Sequence, residues 1–459
     1  MSSAPDQSKA PGNYRWVICA LLFFSVAANY IDRLVIGILK KPLSEQLGWN
    51  DADYGHIAAA FSFAYAFGYL IGGRLMDRFG VKRGLPLFVL AWSIAATAHG
   101  LCGLIDVKAQ FRMDYPWFSW AEKGFVWMTL VTPMTAAGFM LARIALGLTE
   151  GGNFPGAIKA VAEWYPVRER ALATGLFNAG SNVGAILCPV GVPWIFKHLG
   201  WEMTFYITGA TGFIWVAAWW WIYETPEKHK RLSAAEAAYI REGQPVAAVA
   251  EKPAKVPWLS LLGHRAVWAY IIAGMLAGPA WGFYQFFLPD FLDKSFKLDL
   301  QQRGWWTGAF FGIAAVGGVV GGWLAGKLMA RGWSVNAARK VSLLICALAV
   351  VPVFTAPYAD SVWLAVLIVG LAGSAHQGWS ANLFSVVSDT MPKEAISSVV
   401  GLGGFLCFFT GGFVNEFTGL ILQKTGSYVT VFAYFSGTYL VSLLAIQLLV
   451  PRIGKATAQ

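Results

Sequence analysis

The sequence predicts an all-α membrane protein with twelve transmembrane helices in two pseudo-symmetric six-helix bundles. Three observations lead there. The 459 residues are 57% hydrophobic and 13% charged, with a mean hydropathy of +0.53. A soluble chain carries about 25% charged and 45–50% apolar residues. A hydrocarbon core takes about 20 apolar residues per helix, and about twelve such runs follow one another, beginning near residues 14, 52, 81, 134, 169, 202, 266, 303, 337, 361, 395 and 426. The longest polar stretch between them, 224–265, falls midway and divides the runs into six plus six.

Residues 1–13 are polar and lack the basic start of a signal peptide, so they read as a tail and the first run as a retained helix. The first bundle occupies 14–223. Within it, 105–133 mixes charges, aromatics and two prolines; its apolar part, 125–132, is too short to span before Pro133. An interfacial segment is expected there, because an extra span would invert every later loop. In the central loop, 224–265, Pro226 ends the preceding helix. Ser233 and Glu236 form an S-x-x-E capping box that predicts a short helix from Ala234 to Arg241. Residues 243–257, GQPVAAVAEKPAKVP, read as a linker. The second bundle is 266–451, followed by a tail, 452–459.

Fifty glycines suit helices that pack closely in lipid, and twenty-two tryptophans suit interfacial belts. The net charge of +10 is explained by topology. With the N-terminus inside, about 22 Lys and Arg fall on the inner side and about 10 outside, in the positive-inside sense. The inner clusters are Arg74/Arg78/Lys82/Arg83, Arg168/Arg170, the central loop, and Lys327/Arg331/Arg339/Lys340. Both termini are therefore expected in the cytoplasm, and no nucleic-acid partner is expected. The five cysteines, Cys19, Cys102, Cys188, Cys346 and Cys407, lie far apart in apolar segments without metal-ligand spacing, and read as packing thiols. No metal or other cofactor is expected. No G-x-x-x-x-G-K-[ST] loop supports ATP drive.

Four charges stand where hydrocarbon is expected: Asp32 and Arg33 in the first run, Arg143 and Glu150 in the fourth. Each costs about 2.5–3.5 kcal/mol on insertion scales, so function rather than stability accounts for them. Arg143 and Glu150 share a helix face but are separated by roughly 10 Å along the axis. Each is expected to reach across to helix one. Asp32 and Arg33 diverge by about 100°. One simple network pairs Asp32 with Arg143 and Arg33 with Glu150; swapped partners also fit. The four sum to zero. A bound monoanion makes the cluster −1, which low dielectric penalises, and protonating one carboxylate restores neutrality. Arginine does not release its proton. Asp32 and Glu150 are thus the candidate proton carriers, and Arg33 or Arg143 the fork for a carboxylate. A carboxylate pair alone does not make an intramembrane enzyme, and here each has an arginine to meet. Gly147, Gly151, Gly152 and Pro155 flank Glu150 and either loosen the helix or pack tightly.

Further polar residues lie in apolar runs: Asn178, Ser181 and Asn182; Tyr284 and Gln285; His376, Gln377, Trp379, Ser380 and Asn382. They either read hydroxyls or hold helices together. Glu416, near the outer end of helix eleven, is a snorkelling carboxylate or part of an outer gate. The halves also repeat weakly: Gly72 to Gly84, GGRLMDRFGVKRG, and Gly321 to Gly332, GGWLAGKLMARG, each carry a glycine pair followed by basic residues at a turn. Two such repeats are how many secondary transporters are built.

Residues 73–83 resemble the loop signature G-x-x-x-D-R-x-G-R-[KR] of the major facilitator superfamily, with Val81 in place of the first arginine after the second glycine. In the second copy Gly326 stands where the aspartate belongs. Asn29-Tyr30-Ile31-Asp32-Arg33 resembles the N-Y-x-D-R of the anion:cation symporters. So does Arg143 to Pro155, RIALGLTEGGNFP, with Lys159 and 163–170, EWYPVRER. Ala375 to Asn382, AHQGWSAN, with Val387-Ser388-Asp389, Pro392-Lys393 and 398–401, SVVG, resembles the hexuronate transporters of that family. The resemblance covers nearly the whole chain apart from 105–133. It implies a bacterial inner-membrane symporter, functional as a monomer, that imports a sugar-acid anion together with protons by alternating access. Glucuronate or galacturonate is the expected substrate; galactonate or glucarate, or a sensor that binds without transport, are the alternatives. It further implies that Tyr30 and Tyr65 belong to the binding site, and that Asp77, with Arg78, latches the halves on the cytoplasmic side.

Overall fold

An apolar run in hydrocarbon must satisfy its own backbone N–H and C=O groups, and helices do so within one segment. The computed structural model describes residues 12–119, 124–166, 169–241, 261–391 and 393–453. The first half comprises α1 (Tyr14–Ile38), α2 (Lys40–Leu47), α3 (Asp51–Leu101), a two-stranded antiparallel sheet of β1 (Gln110–Ser119) and β2 (Gly124–Pro133), then α4 (Met134–Glu150), α5 (Asn153–Trp164) and α6 (Arg170–Ile222). A short α7 (Ala234–Arg241) precedes the second half: α8 (Arg265–Ala277), α9 (Pro279–Phe286), α10 (Leu288–Phe296), α11 (Leu300–Ala330), α12 (Val335–Val350), α13 (Val362–Thr390), α14 (Lys393–Thr425) and α15 (Val429–Leu449). Among the described residues, ten helical segments are long and apolar enough to cross a membrane. The two tails and the linker at 243–257 lie outside the described residues, apart from Gly12, Asn13, Arg452 and Ile453.

Two very long helices turn back on themselves. α3 breaks at Gly80 (φ 72°, ψ 163°) and α6 at Gly200 (φ 86°, ψ 175°), in the left-handed region that glycine enters without steric cost. Gly332, which ends the second copy of the repeat, also has positive φ (89°). The bundle thus has two ends. The loop end carries α7, Gly80 and the start of α1; the hairpin end carries α2, Gly200 and the β-strands.

Residues 105–133, expected as an interfacial segment, contain a β-hairpin that the sequence did not announce. Gln110 pairs with Pro133 and the register runs to Ser119 opposite Gly124. Its apolar part is too short to cross hydrocarbon as a helix, and a hairpin pairs its backbone groups with one another. Its aromatic and β-branched residues suit strands, but Trp120-Ala-Glu-Lys123 offers no Asn-Gly turn signal to announce a hairpin. The base is pinned by Thr132 Oγ1 donating to Asp53 Oδ1 (2.6 Å) and Trp49 Nε1 donating to Thr135 Oγ1 (3.0 Å).

The short helix α7 spans the predicted residues, and Glu236 N donates to Ser233 Oγ at 3.1 Å. The Glu236 carboxylate does something else. It accepts from the backbone N–H groups of Tyr14 and Arg15 (3.1 Å each), where the helix dipole favours an anion. The central loop thereby caps α1.

α4 and α5 are separated only by Gly151 and Gly152, and this break lies against α3. A Cβ at Gly151 would stand 2.3 Å from the Gly68 carbonyl carbon and 2.4 Å from Tyr69 N. The glycines beside Glu150 therefore both interrupt the helix and let two backbones touch. Gly151→Ala is expected to lower the yield of monodisperse protein and its melting temperature, in line with overpacking costs of about 1–3 kcal/mol. Gly175→Ala, which has open space around its Cβ, is expected to leave both unchanged in the same fluorescence size-exclusion and melting assay.

Candidate functional site

Between the halves lies a cavity of about 370 Å³, within the range of small-molecule sites. α1 contributes Asn29, Tyr30 and Arg33; α3 contributes Ser62, Tyr65 and Tyr69; Asn153 begins α5 and Asn178 sits on α6. The second half supplies Trp281 and Gln285 from α9 and His376, Gln377 and Ser380 from α13. The lining reaches Tyr270, Phe384 and Val400 toward the loop end.

Arg33 is 4% exposed and pairs with Glu150, 1% exposed: Nη2 and Nε donate to Oε2 at 3.0 and 3.2 Å. Nη2 also donates to Asn29 Oδ1 at 3.1 Å, one helical turn away. The rings of Tyr65, Tyr30 and Phe61 surround the guanidinium at 4.5, 5.0 and 5.3 Å, and such cation–π contacts strengthen in a desolvated site. Arg33 is also one of the residues that line the cavity.

Asp32 and Arg143 do not form the second pair of the simple network. Arg143 Nη1 donates to the Arg33 backbone oxygen at 3.4 Å, while its Nε and Nη2 have no hydrogen-bond partner among the described residues. Both Asp32 oxygens and Glu150 Oε1 are also buried without one. The reason is the divergence of adjacent helical residues. With Arg33 turned to the end of α4, Asp32 is turned to α6, where Thr208 and Cys188 are its neighbours. Four charged side chains are thus packed together and incompletely satisfied, which is costly in a stable interior and calls for an explanation.

Of the other expected site residues, Tyr30, Tyr65, Asn178, Gln285, His376, Gln377 and Ser380 line the cavity; Arg143, Ser181, Tyr284 and Asn382 do not. Ser181 turns back to the Asn178 carbonyl (2.7 Å), and Tyr284 packs on Phe310. Asn382 Nδ2 donates to the Gly321 and Gly378 carbonyls (3.0 and 2.9 Å), clasping α11 to α13. His376 Nδ1 meets Tyr439 Oη at 2.6 Å and its ring stacks on Trp281. At the loop end Arg78 is exposed; the side chain of Asp77 lies outside the described set. Glu416 Oε1 is 2.6 Å from His56 Nδ1, a contact between halves. Asn415 joins it, donating to Ser62 Oγ at 2.9 Å. Sequence reading missed Trp281, Ser62 and Asn415, which look like ordinary bundle residues; Asn29 and Asn153 stood inside the quoted motifs without being singled out.

It also missed a charged network that seals the hairpin end. Lys40 Nζ is 2.6 Å from both Asp51 and Asp290, and Lys294 Nζ is 2.6 Å from Asp51. Lys41 pairs with Asp293 at 3.1 Å, and Tyr428 donates to Asp290. The pairs of Lys40 with Asp290, Lys294 with Asp51 and Lys41 with Asp293 cross between halves. At the loop end, among the described residues, Lys82–Glu224 and Arg339–Asp389 each stay within one half. Burial raises the carboxyl of Asp290, which lies beyond the apolar span Arg265–Phe286, but Lys40 and Lys294 outweigh it and hold the group below the usual carboxylate value.

A carboxyl held low contributes its stability above its unfolded pKa of about 3.9 and loses it only as pH falls below that. The seal is therefore expected to be unchanged between pH 5 and 8. Lys40→Ala strands a buried carboxylate, a change that costs about 3–5 kcal/mol for a broken buried pair. Spin labels at the exposed positions Glu45 and Lys297 are expected to shift to longer separations in that variant; an unchanged distance distribution would show that the network does not hold the end shut.

Comparison with known proteins adds the following. The family model for the Major Facilitator Superfamily matches residues 22–415. The "Hexuronate transporter" of Escherichia coli K12 is 28% identical over 419 residues, covering 90% of this chain and 88% of that protein. A Bacillus subtilis relative, "Probable galactarate/D-glucarate transporter", is 29% identical over 455 residues, covering 96% and 93%. Among solved structures, a D-xylose-proton symporter superposes with a TM-score of 0.71 at 13% identity, covering 96% of this chain and 99% of that one.

Proposed function

The chain belongs to the Major Facilitator Superfamily, and from that premise we propose that it is a proton-coupled symporter that imports a sugar-acid anion, a hexuronate such as glucuronate or galacturonate. Its relatives are sugar-acid transporters, which supports the substrate class. In this reading it crosses the bacterial inner membrane twelve times, works as a monomer, and keeps both termini and the loop end in the cytoplasm. Ten spans stand by length and composition; dividing Leu172–Ile222 at Gly200 and counting α4 with α5 gives two more.

The observation that carries the proposal is the Arg33–Glu150 pair at the cavity wall. A substrate carboxylate that docks on Arg33 competes with Glu150 for the same guanidinium. Two carboxylates on one buried cation leave an uncompensated charge. A proton on Glu150 removes it and frees the fork. Asp32, close by on the same helix as Arg33, is the second proton carrier. Binding the anion and binding the proton thus favour each other, which is the coupling a symporter needs.

Alternating access follows from the two ends. The cavity extends to the loop end while the charged network seals the hairpin end, an inward-facing arrangement. Outward opening has to break the Lys40, Lys41 and Lys294 pairs between halves, and loop-end contacts such as those implied for Asp77 and Arg78 replace them.

In proteoliposomes with an alkaline interior, labelled glucuronate is expected to accumulate above its external concentration. Glu150→Gln and Asp32→Asn are expected to abolish accumulation while leaving exchange of internal for external substrate, and Arg33→Lys to raise KM at least about tenfold by losing the bidentate fork. Uptake indifferent to the pH gradient would overturn the symport reading.

A further inference from the structure

The cavity is chemically lopsided. Among its described lining residues Arg33 is the one charged side chain, so it provides a counter-charge for a single carboxylate. A second carboxylate on the same molecule would be desolvated against neutral groups, which is unfavourable. The second half lines the cavity with aromatic rings. The Trp281 ring stacks on His376 with centroids 5.4 Å apart and planes 7° from parallel. His376 is 5% exposed and fixed through Nδ1 to Tyr439, whereas Trp281 remains half-buried and lines the cavity. Phe311 meets the Trp281 ring at 5.9 Å, nearly perpendicular. The indole is thus a rigid flat surface presented to the cavity, backed by a histidine that has little freedom to move. Gln285, 4% exposed, lines the cavity with its Nε2 lacking any hydrogen-bond acceptor among the described residues.

We propose that Trp281, backed by His376, is the specificity determinant of this site: it reads the flat C–H face of a ringed sugar monoacid whose carboxylate sits on Arg33 and one of whose hydroxyls accepts from Gln285. The inference rests on the transport reading above and deepens it. A pyranose uronate is a preformed disc with one carboxylate and a continuous apolar face. Open-chain aldonates have no such face until several torsions are frozen, and that ordering costs affinity. Open-chain aldarates carry that cost and a second, unmatched carboxylate. The site therefore selects cyclic uronates over both, through shape on one wall and charge count on the other.

The test is uptake of labelled glucuronate into proteoliposomes of the full chain, with unlabelled galacturonate, galactonate and galactarate as competitors. Wild type is expected to prefer the uronates by about tenfold or more, the scale on which an apolar contact discriminates substrates. Trp281→Ala is expected to erase most of that preference by raising the uronate KM, with less than about a twofold change for galactonate; Trp281→Phe is expected to keep it. Equal competition by galactonate or galactarate in wild type, which needs no variant to fold, overturns the inference and leaves the transport reading standing. So does an equal loss for ring and chain in Trp281→Ala. No uptake of any acid removes the transport reading and this inference with it.

Discussion

The buried ion pair between Arg33 and Glu150 is the constraint on which the remaining architecture turns. Neither partner is tolerable alone in a low-dielectric interior, because removing one leaves the other's desolvation unpaid. The pair ties α1 to the end of α4. To place Glu150 there, α4 must stop at once and pass close to α3, and Gly151 lets it do so where any side chain would meet the Gly68 backbone. Asn29, Tyr30 and Tyr65 then hold the guanidinium from the remaining directions. Arg33 also forms part of the cavity wall. One guanidinium therefore belongs both to the protein's own charge balance and to whatever anion enters.

The second organising fact is the asymmetry between the ends. At the hairpin end, lysines 40, 41 and 294 bridge the halves through three aspartates. At the loop end the described ion pairs stay within a half, and the cavity lining continues that way. A cavity between halves whose hairpin end is closed by charged pairs suits a rocking mechanism, provided those pairs can be exchanged. Charged pairs suit that role better than a dry apolar interface. Their partners are rehydrated when the end opens, so each ion regains in water much of what it loses in Coulomb energy.

Much of this was legible in the sequence, for definite reasons. Hydrophobic length marked most spans, and Ser233 with Glu236 placed the start of α7 at Ala234. The four intramembrane charges stood out because hydrocarbon makes them expensive. The pairing of Asp32 was not legible. Helical geometry says that Asp32 and Arg33 diverge, but not which neighbour each meets, and Asp32 turned to α6 rather than to Arg143. The hairpin was hidden because its apolar stretch carries no turn dipeptide. The Lys40–Asp290 seal joins residues 250 apart in sequence, and nothing local distinguishes those charges from solvated ones. Trp281 was one tryptophan among twenty-two until the fold brought it to the cavity that Arg33 also lines.

In the proposed symport, an anion on Arg33 and a proton on Glu150 are taken up together. Titration calorimetry of glucuronate binding to the purified protein near neutral pH, repeated in buffers of different ionisation enthalpy, measures this directly. Net proton uptake is expected on binding in the wild type, with a clear reduction of that uptake in Glu150→Gln while glucuronate still binds. Binding without proton uptake, or uptake that Glu150→Gln leaves unchanged, would contradict it.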